Sequence, residues 1–154
     1  VLPRRQGSVL LVRGENGRLR QETARVVWRA PDGRDLALIK GQPRLTCLPL
    51  SLAPLRPGAA VVAAGATGGE SAGVVLAAAG GRVTHSAPLR RGDSGGPLLD
   101  LHGMLRGVNR ATGLDPFRGR WNESVAVDPA ELVAIVEQDR RRAAAGDGNR
   151  QAAR

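Results

Sequence analysis

One cysteine, one phenylalanine, two tryptophans, two histidines and no tyrosine occur in the 154 residues. A single thiol, Cys47, cannot close an internal disulfide, so the fold rests on packing and hydrogen bonding, and the redox compartment goes unmarked. Cys47 stands between Thr46 and Leu48 in a Pro-rich stretch and reads as a small apolar residue, buried or half-buried. The scarcity of aromatic rings excludes a base-stacking platform, although the formal charge is +9. The cations are nearly all arginine, with Lys40 the only lysine, and they are spread along the whole chain, so specific nucleic-acid binding is not expected. No apolar run approaches the roughly 20 residues that a membrane-crossing helix requires, and no transmembrane segment is expected. A leader with charged, apolar and small-residue regions is also missing before the first strand. With Val1 as its first residue, the chain is expected to begin downstream of the natural start. A periplasmic or secreted location follows only if a signal lies upstream of Val1.

What is present is a succession of short apolar runs separated by Gly, Pro and Asn at spacings of about 8 to 15 residues, the habit of an all-β barrel or sandwich. Ser8 to Arg13 and Arg18 to Arg29 read as strands around a turn at Glu15-Asn16-Gly17, and Leu36 to Ile39 as a third after Pro31-Asp32-Gly33. Gly41 to Gly58 is rich in Pro and Leu without alternation and suits a crossing between two subdomains. Six further strands are expected at Ala59 to Gly65, Gly73 to Ala78, Arg82 to Ser86, Pro97 to Asp100, Met104 to Asn109 and Glu123 to Val127, with a long loop from Ala111 to Trp121. Asp128-Pro129 then opens a helix, Asp as N-cap and Pro in the first turn. Leu132, Val133, Ile135 and Val136 give that helix an apolar side, and Arg140 to Arg142 suit its C-terminal end. Residues 145–154 are expected to be a disordered tail.

The most specific signal is Gly92-Asp93-Ser94-Gly95-Gly96-Pro97. A serine that attacks an acyl carbon must sit on a tight turn from which backbone N–H groups point at the developing oxyanion, and glycines permit that backbone path. Ser94 is the candidate nucleophile, and the N–H groups of Gly92 and Ser94 are the candidate oxyanion hole. The same residue types also make ordinary surface turns. Flanking apolar strands, with Leu105-Arg106-Gly107-Val108-Asn109 beyond the loop, favour the catalytic reading. Arg91-Gly92-Asp93 spells an adhesion tripeptide, but only as part of this loop.

The run THSAPLRRGDSGGPLLDLHGMLRGVN, from Thr84 to Asn109, resembles the nucleophile region of bacterial chymotrypsin- and trypsin-like serine peptidases, including the HtrA type. A second run, Asp35-Leu36-Ala37-Leu38-Ile39-Lys40, is similar to the segment that carries the family's catalytic aspartate. The resemblance covers roughly residues 8 to 136 and implies a chymotrypsin-like double β-barrel, with the first barrel partial and the second complete, followed by a C-terminal helix. The implied domains are 1–45 with Asp35, a crossing linker at 46–58, the second barrel at 59–128 with Ser94, and the helix at 129–144. It implies Asp35 and Ser94 as catalytic residues, in the order that chymotrypsin-type enzymes follow. It also implies Pro88 and Leu89 at the base of the specificity pocket, and Gly107-Val108-Asn109 as the wall strand to which an extended substrate adds. Neither Pro88 nor Leu89 carries a carboxylate, so a small or apolar residue before the cleaved bond is expected. No cofactor or metal is implied, and the partner is a polypeptide substrate.

The departure is the histidine. Only His85 and His102 exist, and both follow Asp35, so neither fills the family's first triad position. His85 reads as an ordinary strand side chain and His102 as a turn residue. The expectation is a chain cut just downstream of its histidine, with little peptidase activity alone, because a serine hydroxyl without a base is a weak nucleophile. The competing reading is an inactive homologue that holds extended peptides in the same cleft. A basic surface-binding protein is a third reading, marked by affinity for polyanions that falls steeply with salt. The oligomeric state is left open.

Overall fold

Residues 8–15, 18–30, 36–41, 47–66, 69–115 and 120–151 are described by the computed structural model. The chain divides into two compact units, residues 1–46 with 138–154, and residues 47–137. In the first, strand β1 (Ser8–Glu15) pairs antiparallel with β2 (Arg18–Arg29), Ser8 opposite Arg25 and Glu15 opposite Arg18. The expected turn residues Asn16 and Gly17 lie outside the described residues. Strand β3 (Ala37–Lys40) pairs with β2, so the sheet runs β1-β2-β3. Ala24, Val26 and Trp28 are buried while Arg25 and Arg29 are exposed, the period-two alternation of a sheet with one covered face.

The second unit holds the six strands β4 (Ala60–Ala64), β5 (Glu70–Ala79), β6 (Arg82–His85), β7 (Pro97–Asp100), β8 (Leu105–Asp115) and β9 (Arg120–Val127). They close into a barrel in the order β4-β5-β6-β9-β8-β7, with Val61 opposite Asp100 where β4 meets β7. Barrel diameter grows with strand number, so six strands leave a narrow interior, and small side chains fill it. Val61, Ala63, Val75, Val83, Ala87, Leu98 and Ala126 form the core, with Leu98 its largest fully buried side chain. Gly80 and Gly81, with φ of 58° and 74°, turn β5 into β6 where Ala79 faces Arg82; positive φ at both central residues marks a type I′ hairpin.

Three sequence expectations need correction. The long loop from Ala111 to Trp121 is mostly strand: β8 runs on to Asp115 and β9 starts at Arg120, with two register shifts that break the alternation. The helix α1 (Pro129–Gln151) passes the expected end at 144, so the backbone of 145–151 is helical. The run from Arg140 to Ala145 just ahead is made only of strong helix formers and carries the helix on through Gly146 and Gly148. Cys47 is exposed, because its segment lies on the surface and meets β8 only further on, at Leu50 and Ser51. The helix start follows the sequence: the Asp128 carboxylate accepts the Ala130 N–H at 2.8 Å, and Asp128 N–H donates to the Gly81 carbonyl at 2.9 Å. No helix among the described residues is long and apolar enough to cross a membrane.

Candidate active site

The loop between β6 and β7 is built from two turns back to back. Asp93 N–H donates to the Arg90 carbonyl at 3.0 Å, and Gly96 N–H donates to the Asp93 carbonyl at 3.0 Å. Gly92 and Gly95, each the third residue of its turn, have φ of 105° and 90°, which makes both turns type II and explains the glycines. Ser94 is the second residue of the second turn and is exposed. Its Oγ donates to the Arg110 carbonyl at 2.8 Å. The amides alternate: Asp93, Gly95 and Gly96 are bonded, whereas the N–H groups of Gly92 and Ser94 have no acceptor among the described residues.

Close packing fixes this path. The Asp93 side chain is buried, its Oδ2 accepting the Arg90 N–H at 2.8 Å, and it lies so near Gly65 that a Cβ there would collide with the carboxylate. A Cβ on Gly96 would strike the Ala64 carbonyl. On the other side, Gly95 N–H donates to the Asn109 carbonyl at 2.7 Å, and Asn109 N–H donates to the Gly96 carbonyl at 2.8 Å. The stretch leading into the loop is held by hydroxyls, with Ser124 Oγ donating to the Ala87 carbonyl at 2.9 Å and Ser71 Oγ to the Pro88 carbonyl at 2.6 Å.

Pro88 lines a cavity of about 180 Å³ together with Gly69, Glu70, Ser71, Arg90 and Asp93. Leu89 packs against the barrel core. Sequence reasoning missed Glu70, which stands at the start of β5 far from the loop in sequence. Among the described residues no three His, Cys, Asp or Glu side chains gather as a metal site would require.

Gly107, Val108 and Asn109, expected on the wall strand, lie on β8. Gly107 and Val108 pair with Leu98 and Pro97 on one side, and Val108 pairs with Val127 on the other. Asn109 has its N–H and carbonyl bonded to the Ser94 loop, and its side chain is buried and donates to the Pro97 carbonyl at 3.0 Å. The next carbonyl, that of Arg110, accepts the Ser94 hydroxyl. From Ala111 to Asp115 the strand is paired with β9 alone among the described residues.

A sequence profile described as trypsin-like peptidase domain matches residues 3–108, more than half of the chain. The chain belongs to the trypsin-like peptidase family. In fold it is similar to the Rv3671c protease in an inactive form, with TM-score 0.64, 24% identity, and 77% of this chain and 68% of that chain covered. It is likewise similar to Rv3671c from M. tuberculosis H37Rv as a serine-to-alanine mutant, also an inactive form, with TM-score 0.63, 24% identity and coverage of 77% and 65%. Comparison with curated protein sequences gives no significant match.

In this trypsin-like peptidase domain neither histidine hydrogen-bonds to Ser94. His85 is completely buried inside the barrel, and neither ring nitrogen has a hydrogen-bond partner. Burial lowers its pKa below the ordinary 6.5, opposed in part by the nearby Asn109 side chain and Ala87 backbone. His102 sits in the β7–β8 turn, where its N–H donates to the Asp100 carboxylate at 3.0 Å. Asp35 lies outside the described residues.

Proposed function

We propose that this chain is part of a serine endopeptidase domain that hydrolyses peptide bonds through an acyl-enzyme on Ser94. The observation that carries the reading is the pair of type II turns that exposes Ser94 between two N–H groups without acceptors. In the proposed reaction Ser94 Oγ bonds to the substrate carbonyl carbon, and the N–H groups of Gly92 and Ser94 hold the resulting oxyanion. The hydroxyl proton passes to a histidine base and from it to the leaving amine as the C–N bond breaks, with Asp35 orienting the base. Water then releases the acyl group by the same route. The edge from Ala111 to Asp115 offers backbone groups to an extended peptide, with Pro88 and the adjoining cavity beside the reacting bond.

Neither His85 nor His102 is suited to be that base, so the histidine is proposed to come from sequence upstream of Val1, and the chain alone to be inactive. The test is a fluorophosphonate probe. Ser94 should not label in this chain, should label in a longer protein carrying the upstream histidine, and should stop labelling on Ser94→Ala. A longer protein that contains the histidine, folds, and still leaves Ser94 unlabelled would replace this reading with a peptide-binding relative. The open β8 edge supports that second reading equally, since backbone pairing holds a peptide whether or not it is cleaved.

A further inference from the structure

We infer that His85 is a positioning residue for Ser94, donating a ring N–H to Asn109 Oδ1 and so fixing the residue on which the nucleophile turn hangs. The argument starts at the Asn109 amide. Its Nδ2 donates to the Pro97 carbonyl at 3.0 Å and lies 3.4 Å from the Ala64 carbonyl, and two carbonyls on one side decide which end is nitrogen. Oδ1 is left as a buried acceptor without a donor. In the same core His85 is fully buried with both ring nitrogens unpartnered, and the two polar groups close to its ring are the Asn109 side chain and the Ala87 backbone. A neutral imidazole has one N–H to give. The Ala87 carbonyl already has one donor, the Ser124 hydroxyl at 2.9 Å, whereas Asn109 Oδ1 has none, so the arrangement that leaves the fewest orphaned buried atoms sends the imidazole proton to Asn109. One bond then satisfies two orphaned buried atoms.

The consequence reaches Ser94 through the backbone. The two residues after Ser94 are bonded to Asn109, Gly95 N–H at 2.7 Å and the Gly96 carbonyl at 2.8 Å, and the next carbonyl, that of Arg110, receives the Ser94 hydroxyl. The strand partners of His85 are uncharged, Val75 of β5 and Ser124 of β9, and so are the Asn109 side chain and the Ala87 backbone beside its ring. The other buried charged residues, Asp93 and Arg106, bond elsewhere, Asp93 to Arg90 N–H and Arg106 to Ser51 and Ala53. A proton on His85 therefore adds a charge that none of these groups balances, beside the Asn109 side chain.

Only the catalytic meaning of this positioning rests on the peptidase reading; the positioning itself is read from the turn. Amide hydrogen exchange on the ¹⁵N-labelled chain tests it, with β4–β5 amides as the internal reference for global stability. His85→Leu, which has no donor, should speed exchange at Gly95 and Asn109 about tenfold relative to that reference, and His85→Gln, which keeps an amide N–H, should restore most of the protection. An unchanged ratio in His85→Leu, or equal loss in both variants, overturns the inference. If His85→Leu does not fold, the unmodified chain decides. On acidification the amide shifts of Ser94, Gly95 and Asn109 should move together with the His85 ring signal, which is assigned by removing the other with His102→Asn. Amides that stay fixed while the ring titrates overturn it. Neither measurement depends on catalysis, so a failure of probe labelling would remove the peptidase reading and leave this one standing.

Discussion

The Ser94 hydroxyl donates to the Arg110 carbonyl at 2.8 Å, and just beyond it, from Ala111 to Asp115, β8 is paired with β9 alone among the described residues. One hydrogen bond thus joins the candidate nucleophile to the backbone that would hold a peptide. Attack on a substrate requires the hydroxyl to leave that carbonyl for a base.

Because this bond is exposed to water, breaking it costs little. Ser94→Ala should change unfolding free energy by no more than about 1 kcal/mol in urea titrations, while abolishing probe labelling of the histidine-bearing protein. A large loss of stability would mean that the hydroxyl is a structural strut.

The two glycines after Ser94 should respond differently to an added methyl. Gly95 has open space but φ of 90°, so Gly95→Ala should cost about 1–2 kcal/mol from backbone strain alone. Gly96→Ala drives a methyl into the Ala64 carbonyl and should cost about 1–3 kcal/mol or more, with loss of labelling because the turn must move. Urea midpoints and labelling of both variants check the order.

Acid should destabilise the barrel through His85. Its folded-state pKa is lowered by burial while the unfolded chain keeps the ordinary value, so below about pH 6.5 the unfolded state binds the proton first. The contribution is fully present above that pH and is lost as pH falls towards the folded pKa, at a slope of at most about 1.4 kcal/mol per pH unit. Urea unfolding from pH 8 to 4.5 should show this slope in the natural chain and its absence in His85→Gln.

Arg106 should hold the segment that enters the barrel. Its guanidinium is buried and donates to Ser51 Oγ and the Ala53 carbonyl, bonds that charge strengthens. Arg106→Met should cost about 2–3 kcal/mol and speed limited proteolysis between residues 47 and 58, with the barrel amides still protected.

Features that depend on local backbone chemistry were legible in the sequence. A left-handed residue at the third position of a type II turn calls for glycine, so Gly92 and Gly95 mark the Ser94 loop in the sequence itself. Asp128-Pro129 marked the helix start, and alternation located the strands whose two faces differ in burial. Features that depend on which strand lies beside which were not legible. Asn109 was expected with Gly107 and Val108 on the wall strand, and only the pairing of β8 with β7 and the Ser94 loop showed that its side chain is buried and its backbone bonded to that loop. His85 looked like any strand residue until barrel closure sealed it among uncharged neighbours. Glu70 met Pro88 only because β5 starts beside the loop, and Cys47 stayed outside because its segment crosses the surface. Backbone preference is set by a residue and its immediate neighbours, whereas burial, edge and partnership are set by long-range pairing that only the closed barrel decides.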